Sequence, residues 1–307
     1  MTQADTLKEK KAFLKSSIRK EFSNWLFLSP FIVGFCLLVL YPCAMSLIYS
    51  FTDFNGVFMT GFGLFNYASL FDFSQYGIGK EVFRSLGLTV IYTVVSIPIN
   101  VLLSFILSLL LRKAIPGIKV LRLLFYLPVL IPGIVFGQIW LDMLAYPTGL
   151  INQWLAAVGL PKGTFLSSAK TQLGTLIGLS QWTMGGSMII WLAALSNISP
   201  TIYEAAEIDG AKFFTKLFKI TIPLCTPMIF FNIISLVIMC LQTFDSYAYL
   251  NRGIGEATYF IAIRIYYTAF EQQQYGFACS IAWLLFVIIA ALTAIMFKTS
   301  KWVYYGD

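Results

Sequence analysis

The chain has 307 residues, 58% of them hydrophobic and only 11% charged, with a mean hydropathy of +0.79. Soluble domains carry about a quarter of their residues as charges, so this composition excludes one and points to a polytopic membrane protein. The net charge of +7 is explained by basic loops at one membrane face, with a basic tail binding RNA or DNA as the competing reading of residues 8–20.

In chain order, residues 1–24 form a polar, basic segment. The charge-free run 22–52 that follows is too long for a signal-peptide core and reads as an uncleaved signal anchor. Further charge-free runs cover 85–111, 123–141, 171–203, 220–244 and 272–297. Each reaches, or nearly reaches, the roughly 20 apolar residues that cross a bilayer as a helix. The windows 54–71 and 143–161 are also uncharged, but the first holds Asn55, Gly56, Gly61, Gly63 and Asn66, and the second Pro147, Gly149, Asn152, Gln153, Gly159 and Pro161. Both read as irregular or interfacial segments, which leaves six spans in an all-α fold. Pro30, Pro42, Pro98, Pro128 and Pro132 fall inside spans, where neighbouring helices or water must satisfy the freed carbonyls. Such breaks suit a bundle that rocks around a cavity, and each taken singly also fits a packing kink.

Basic residues orient the bundle. With the N-terminus inside, 15 of 21 Lys and Arg lie on the cytoplasmic side, in residues 8–20, 112–122, 212–219 and 298–301; Lys80, Arg84, Lys162, Lys170, Arg252 and Arg264 lie outside. Both termini are therefore expected in the cytoplasm. So is the charged loop 199–223 between the fourth and fifth spans.

That loop is patterned. Ser199 is placed to cap a helix that starts at Pro200, where a missing N–H costs nothing; Thr201 and Glu204 have capping-box spacing for a start two residues later. Ile202, Tyr203, Ala206 and Ala205 form an apolar strip, and the paired alanines leave room for another surface to approach. Asp209-Gly210 breaks the helix. A second amphipathic helix follows, with Phe213, Phe214, Leu217 and Ile220 apolar, Lys212, Lys216 and Lys219 polar, and a bend at Pro223. An amphipathic connector resting on lipid headgroups is the plainer reading of the same pattern.

Polar residues inside spans usually face the bundle interior. Candidates are Asn100, Gln138, Gln181, Trp182, Thr183, Ser187, Asn232, Ser235, Gln242, Thr243 and Asp245, with Phe244 beside them. Amides, a carboxylate and aromatic rings are what sugar recognition requires; interhelical hydrogen bonding without a ligand is the alternative. Cys36, Cys43, Cys225, Cys240 and Cys279 show no metal or redox spacing, and the chain has no histidine. Gly77-Ile78-Gly79-Lys80 is followed by Glu81 and is no phosphate loop. No metal site and no catalytic constellation are expected.

The sequence resembles the permease subunits of binding-protein-dependent ABC importers, in the carbohydrate, maltose-type branch. The resemblance rests first on Glu204-Ala205-Ala206, Asp209-Gly210-Ala211, Phe218 and Pro223 in the loop. It extends through Tyr41-Pro42, Ser50-Phe51, Asn66-Tyr67, Leu121 to Pro128, Ile139-Trp140, Gly149 to Asn152, Gln181-Trp182 and Phe244-Asp245 with Tyr247. The family's Gly-Gly-Pro turn is replaced by Leu250 to Gly255, which lacks the proline. The resemblance implies a type I importer permease fold and the first of two permeases. It implies residues 25–299 as the transmembrane domain, 300–307 as a cytoplasmic tail, and 199–223 as the loop that receives an ATPase through Glu204, Ala205, Ala206, Asp209, Gly210, Ala211, Phe218 and Pro223. Gln181, Trp182, Asn232, Gln242, Thr243, Phe244 and Asp245 would line the substrate path. The implied partners are a second permease, two ATP-binding subunits that hold ATP and Mg, an extracytoplasmic solute-binding protein and a sugar. The chain itself would be non-catalytic, without a cofactor, in a bacterial or archaeal cell membrane. The alternatives are a permease of the same superfamily for glycerol phosphate or an amino acid, an ion-coupled secondary transporter, and an integral membrane enzyme.

Overall fold

The computed structural model describes residues 24–59, 61–75, 77–113, 116–244 and 256–303. Within them the chain is helical, with one isolated bridge between Thr52 and Phe62 as its only β pairing. Three helices are long and apolar enough to cross a membrane alone: α1 (Asn24–Ser50), α3 (Gly79–Leu111) and α13 (Tyr275–Lys298). Three bent helix pairs pass the same length and composition test together, which brings the number to six if each pair is one span.

The bends follow from the sequence. Helix α4 (Ile118–Tyr126) runs through a 3₁₀ turn at Leu127–Leu130 into α5 (Gly133–Leu144), with a 96° change of direction. Pro128 and Pro132 remove two donors there, and Ile131 and Pro132 turn extended, so the run 123–141 is a sharply broken segment instead of one rod. Helices α7 (Ala169–Ser180, extended by Gln181–Thr183) and α8 (Gly185–Ser196) meet at 46°. A Cβ on Gly185 would collide with the backbone carbonyl of Phe125, so only glycine lets α8 start this close to the end of α4. In α10 (Phe213–Leu224) and α11 (Thr226–Leu241) the bend is 65° at Cys225. Wide π turns at Cys36–Leu40, in α1, and Leu217–Thr221, in α10, come just before Pro42 and Pro223. They absorb the clash that a proline ring makes with the preceding turn.

The two windows read as irregular each hold a short helix: α2 (Phe65–Leu70) and α6 (Leu150–Ala157). Buried asparagines tie both down. Asn66 donates its amide to the carbonyls of Ser50 and Thr52 (3.0 and 2.7 Å) and so closes the end of α1. Asn152 donates to the carbonyl of Ala145 (3.0 Å) and accepts the Gly163 N–H (2.8 Å).

Helix α3 is the central post, packed by α8, α11 and α12 (Ile261–Tyr266). Its inward face is a ladder of small polar residues: Ser85, Thr89, Thr93, Ser96, Asn100, Ser104 and Ser108 are all buried. Small side chains let helices approach closely inside a bilayer, and their hydroxyls bond across the gap. Trp191 of α8 donates to Ser104 (3.0 Å), the backbone N–H of Ile261 to Thr89 (3.0 Å), and Arg264 to Ser85 (2.8 Å). Apolar packing closes around this ladder: Tyr92, Ile97, Leu176, Leu236 and Phe260 form one cluster, and Val82, Leu241, Ile261, Phe277 and Ile281 another.

Candidate functional site

Between α3, the α4–α5 and α7–α8 elbows and α11 lies a cavity of about 380 Å³. Its polar lining comes from Ser96 and Asn100 on α3, Ser180, Gln181 and Thr183 at the α7 end, Ser187 on α8, Asn232 and Ser235 on α11, and Thr243 beyond it; Tyr92, Phe136 and Met239 add apolar walls. Among the described residues no charged side chain lines it. Four buried polar atoms on this wall have no hydrogen-bond partner among the described residues: Ser96 Oγ, Asn100 Oδ1, Gln181 Oε1 and Asn232 Nδ2. An unpaired buried polar group costs about 1–3 kcal/mol, so four converging on one void form a wall built for water or a hydroxylated solute. The amide nitrogen of Gln181 is already committed, donating to the Ile177 carbonyl (3.0 Å) and Ser180 Oγ (2.9 Å). That fixes its free oxygen as an acceptor.

Of the residues expected on the substrate path, Gln181, Asn232 and Thr243 share this lining. Trp182 lies outside it, 55% exposed and edge-on to Trp140 at 5.5 Å. Gln242 is exposed at the end of α11, and Phe244 lies tilted against Tyr266 at 5.4 Å, also outside the lining. Asp245 and the turn 250–255 lie outside the described residues. Ser96 is a lining residue that the sequence reading passed over. Its signal was there: the run from Ser85 to Ser108 repeats at helical spacing, but each hydroxyl is weak on its own in a hydropathy scan.

At the opposite end of α11 the loop 199–223 folds as two helices, α9 (Pro200–Ile208) and α10. The turn between them is a Schellman motif: Ala211 N–H bonds Ala206 O (2.8 Å), Gly210 N–H bonds Glu207 O (3.0 Å), and Gly210 takes φ +74°. Ser199 occupies the N-cap position without capping; its hydroxyl pairs with Thr201 (2.8 Å). The Ser199 carbonyl takes the Ile202 N–H instead (3.2 Å), so the helix starts at Pro200 and not two residues later. The two helices are stapled by Tyr203 Oη to Thr221 Oγ1 (2.9 Å) and by Lys216 to Glu207 (2.6 Å). The guanidinium of Arg112, at the end of α3, sits 4.8 Å from the centre of the Tyr203 ring. Leu217 and Ile220 turn inward, while Glu204, Ala205, Asp209, Ile202, Ile208, Phe213, Phe214 and Phe218 are exposed. Ala206, Ala211 and Pro223 are half-buried. An apolar patch of this kind, rimmed by charge and held on a rigid turn, suits the docking of another protein.

No family model matches the chain. It is 34% identical over 308 residues to the probable ABC transporter permease protein YesP of Bacillus subtilis, covering 98% of this chain and 97% of that protein. It is 30% identical over 286 residues to the probable starch degradation products transport system permease protein AmyD of Thermoanaerobacterium thermosulfurigenes, covering 90% and 94%. To the lactose transport system permease protein LacF of Rhizobium radiobacter it is 27% identical over 300 residues, covering 94% and 97%. Its fold matches a chain of a bacterial alginate ABC transporter crystallised with an alginate pentasaccharide-bound periplasmic protein. There the TM-score is 0.79 at 21% identity, over 93% of this chain and 96% of that one.

Proposed function

The chain belongs to the permease proteins of ABC transporters, and from that membership we propose that it forms the transmembrane path of an ATP-driven importer for a neutral sugar or oligosaccharide. The observation that carries the solute class is the cavity: hydroxyls and amides with four polar atoms unpaired among the described residues, and no charge in the described lining. Relatives named for starch degradation products and for lactose support a carbohydrate. Gln181, Asn232 and Thr243 contact the solute, joined by Ser96 and Asn100. Trp182, Gln242, Phe244 and Asp245 belong to its approach.

Coupling runs through α9 and α10. Glu204, Ala205, Asp209 and Phe218 form the surface offered to an ATPase; Ala206, Gly210, Ala211 and Pro223 set its shape. ATP and Mg are held by two partner subunits, a second related permease completes the path, and a solute-binding protein delivers the sugar. The basic end of the bundle, with both termini, faces the cytoplasm of a cell with this protein in its inner membrane. Residues 25–299 then make the transmembrane domain, between the segment 1–24 and the tail 300–307.

A permease for glycerol phosphate needs a free cation at the solute. Arg264 is instead held within the fold: it is buried, donates to Glu81 (2.9 Å) and Ser85 (2.8 Å), and lies 4.4 Å from the Tyr259 ring centre, while its Nη2 lies 3.9 Å from Glu256 and makes no hydrogen bond among the described residues. The test is uptake by the complete importer in proteoliposomes. ATP-dependent accumulation of a neutral disaccharide or oligosaccharide, unaffected by ionophores, is expected. Preference for glycerol phosphate, or uptake driven by an ion gradient without ATP, would sink the proposal.

A further inference from the structure

At the basic end of the bundle a second cavity, about 460 Å³, opens between the end of α3 and the loop helices. One half is cationic, from Arg112, Lys113 and Lys216, over the Tyr203 ring. The other half is apolar: Leu109, Leu110, Phe213 and Leu217. Lys216 is paired with Glu207, but Arg112 and Lys113 have no carboxylate partner among the described residues. Nor are they needed to finish α3, because Arg122 already takes the Leu111 carbonyl through two nitrogens (3.1 and 2.7 Å). Leu110 and Phe213 are both more than 60% exposed, so the apolar wall continues onto the outer surface of the span.

We propose that this cavity is a binding site for an anionic phospholipid, with the phosphate on Arg112 and Lys113 and an acyl chain along Leu110 and Phe213. Charge and shape both select a lipid. A soluble anion has no use for the apolar half, and a zwitterionic lipid brings its own ammonium beside the phosphate, so it would add a third cation to Arg112 and Lys113 where an anionic lipid adds none. A docked ATPase would use the other side of α9: Ala205 lies two residues beyond Tyr203, about 200° round the helix. The bound lipid bridges α3 to the stapled pair α9–α10, so its occupancy stiffens the connection between the central post and the loop.

The test uses the full chain in nanodiscs of phosphatidylcholine with a minor share of phosphatidylglycerol, with retained lipid counted by native mass spectrometry. One phosphatidylglycerol per chain should be retained in preference to phosphatidylcholine. A basic residue at an anionic lipid is worth roughly fivefold in affinity, so Lys113→Gln should lower retention about fivefold and Arg112→Gln with Lys113→Gln about 25-fold. Lys113→Gln removes no hydrogen bond or ion pair made with the described residues and keeps the test valid if the double variant misfolds. Lys162→Gln with Lys170→Gln, at the other end of the bundle, should leave retention unchanged. Equal retention by wild type and Lys113→Gln overturns the site. So does displacement of the lipid by soluble glycerol phosphate, which would make it a soluble-anion pocket, or its complete exclusion when the ATPase subunits assemble. None of these readouts depends on sugar transport.

Discussion

Gly210 holds the angle between α9 and α10 with φ +74°, and a Cβ built there meets nothing within 4 Å. The cost of replacing it is therefore backbone strain rather than collision, about 1–2 kcal/mol for an L residue forced into left-handed angles and worst for a β-branched one. Gly210→Val should abolish sugar-stimulated ATP hydrolysis by the assembled importer while the chain still inserts, and Gly210→Asn, which tolerates these angles, should keep most of it. Equal ATPase rates for the Val and Asn variants would mean that the turn does not transmit the coupling. Asn232 presents the reverse case. Its buried amide nitrogen has no partner among the described residues, so Asn232→Leu removes a desolvation penalty and should hold or raise the thermal midpoint. Uptake should nevertheless fall about tenfold, the worth of one lost hydrogen bond to solute. A variant that transports at the wild-type rate would move the solute off this wall. The turn glycine was legible in the sequence because few residues break a helix this way. The unpaired state of Asn232 was not, because satisfaction of a polar atom depends on what the rest of the fold brings within 3 Å.

Among the elements, α3 carries the packing. Its buried hydroxyl ladder from Ser85 to Ser108 faces α8, α11 and α12, and α12 is latched to it through Arg264. Arg264→Gln should lose a charge-assisted bond worth about 2 kcal/mol and lower the thermal midpoint, yet leave the apparent affinity for a neutral sugar unchanged. A shift in sugar affinity without a loss of stability would instead make Arg264 a solute contact. Charge-free length was enough to find the spans. It did not distinguish the straight helices α1, α3 and α13 from the elbows at Pro132, Met184 and Cys225. Prolines lie at two of the three breaks, Pro132 at one and Pro223 beside another, but Pro98 leaves α3 unbroken and the elbow at Met184 has no proline, only Gly185 and Gly186. The angle of a break, 96° in one pair and 46° in another, depends on the close approach of α8 to α4 at Gly185 and on the surrounding helices.

At the scale of the whole molecule, the basic residues gather at the end that carries α9 and α10. In a cysteine-free background, Ser167→Cys should react with an impermeant maleimide in intact cells and Thr215→Cys only after permeabilisation; the reverse pattern would invert the proposed orientation. Amino-acid order alone determined that this is an all-helical membrane protein with six crossings, and the loop pattern alone pointed to the permease family, because hydropathy, charge bias and a helix-breaking glycine are local properties. The tertiary structure decided the rest. It gathered Ser96, Asn100, Gln181 and Asn232, separated by as many as 136 positions in the chain, around one void, and left Trp182 and Gln242 off its wall. It also paired Arg264 with Glu81, 183 positions away in the chain. Such pairings depend on distances between residues remote in sequence, and inside a bilayer, where water competes for none of them, those distances settle which polar groups remain free for a solute.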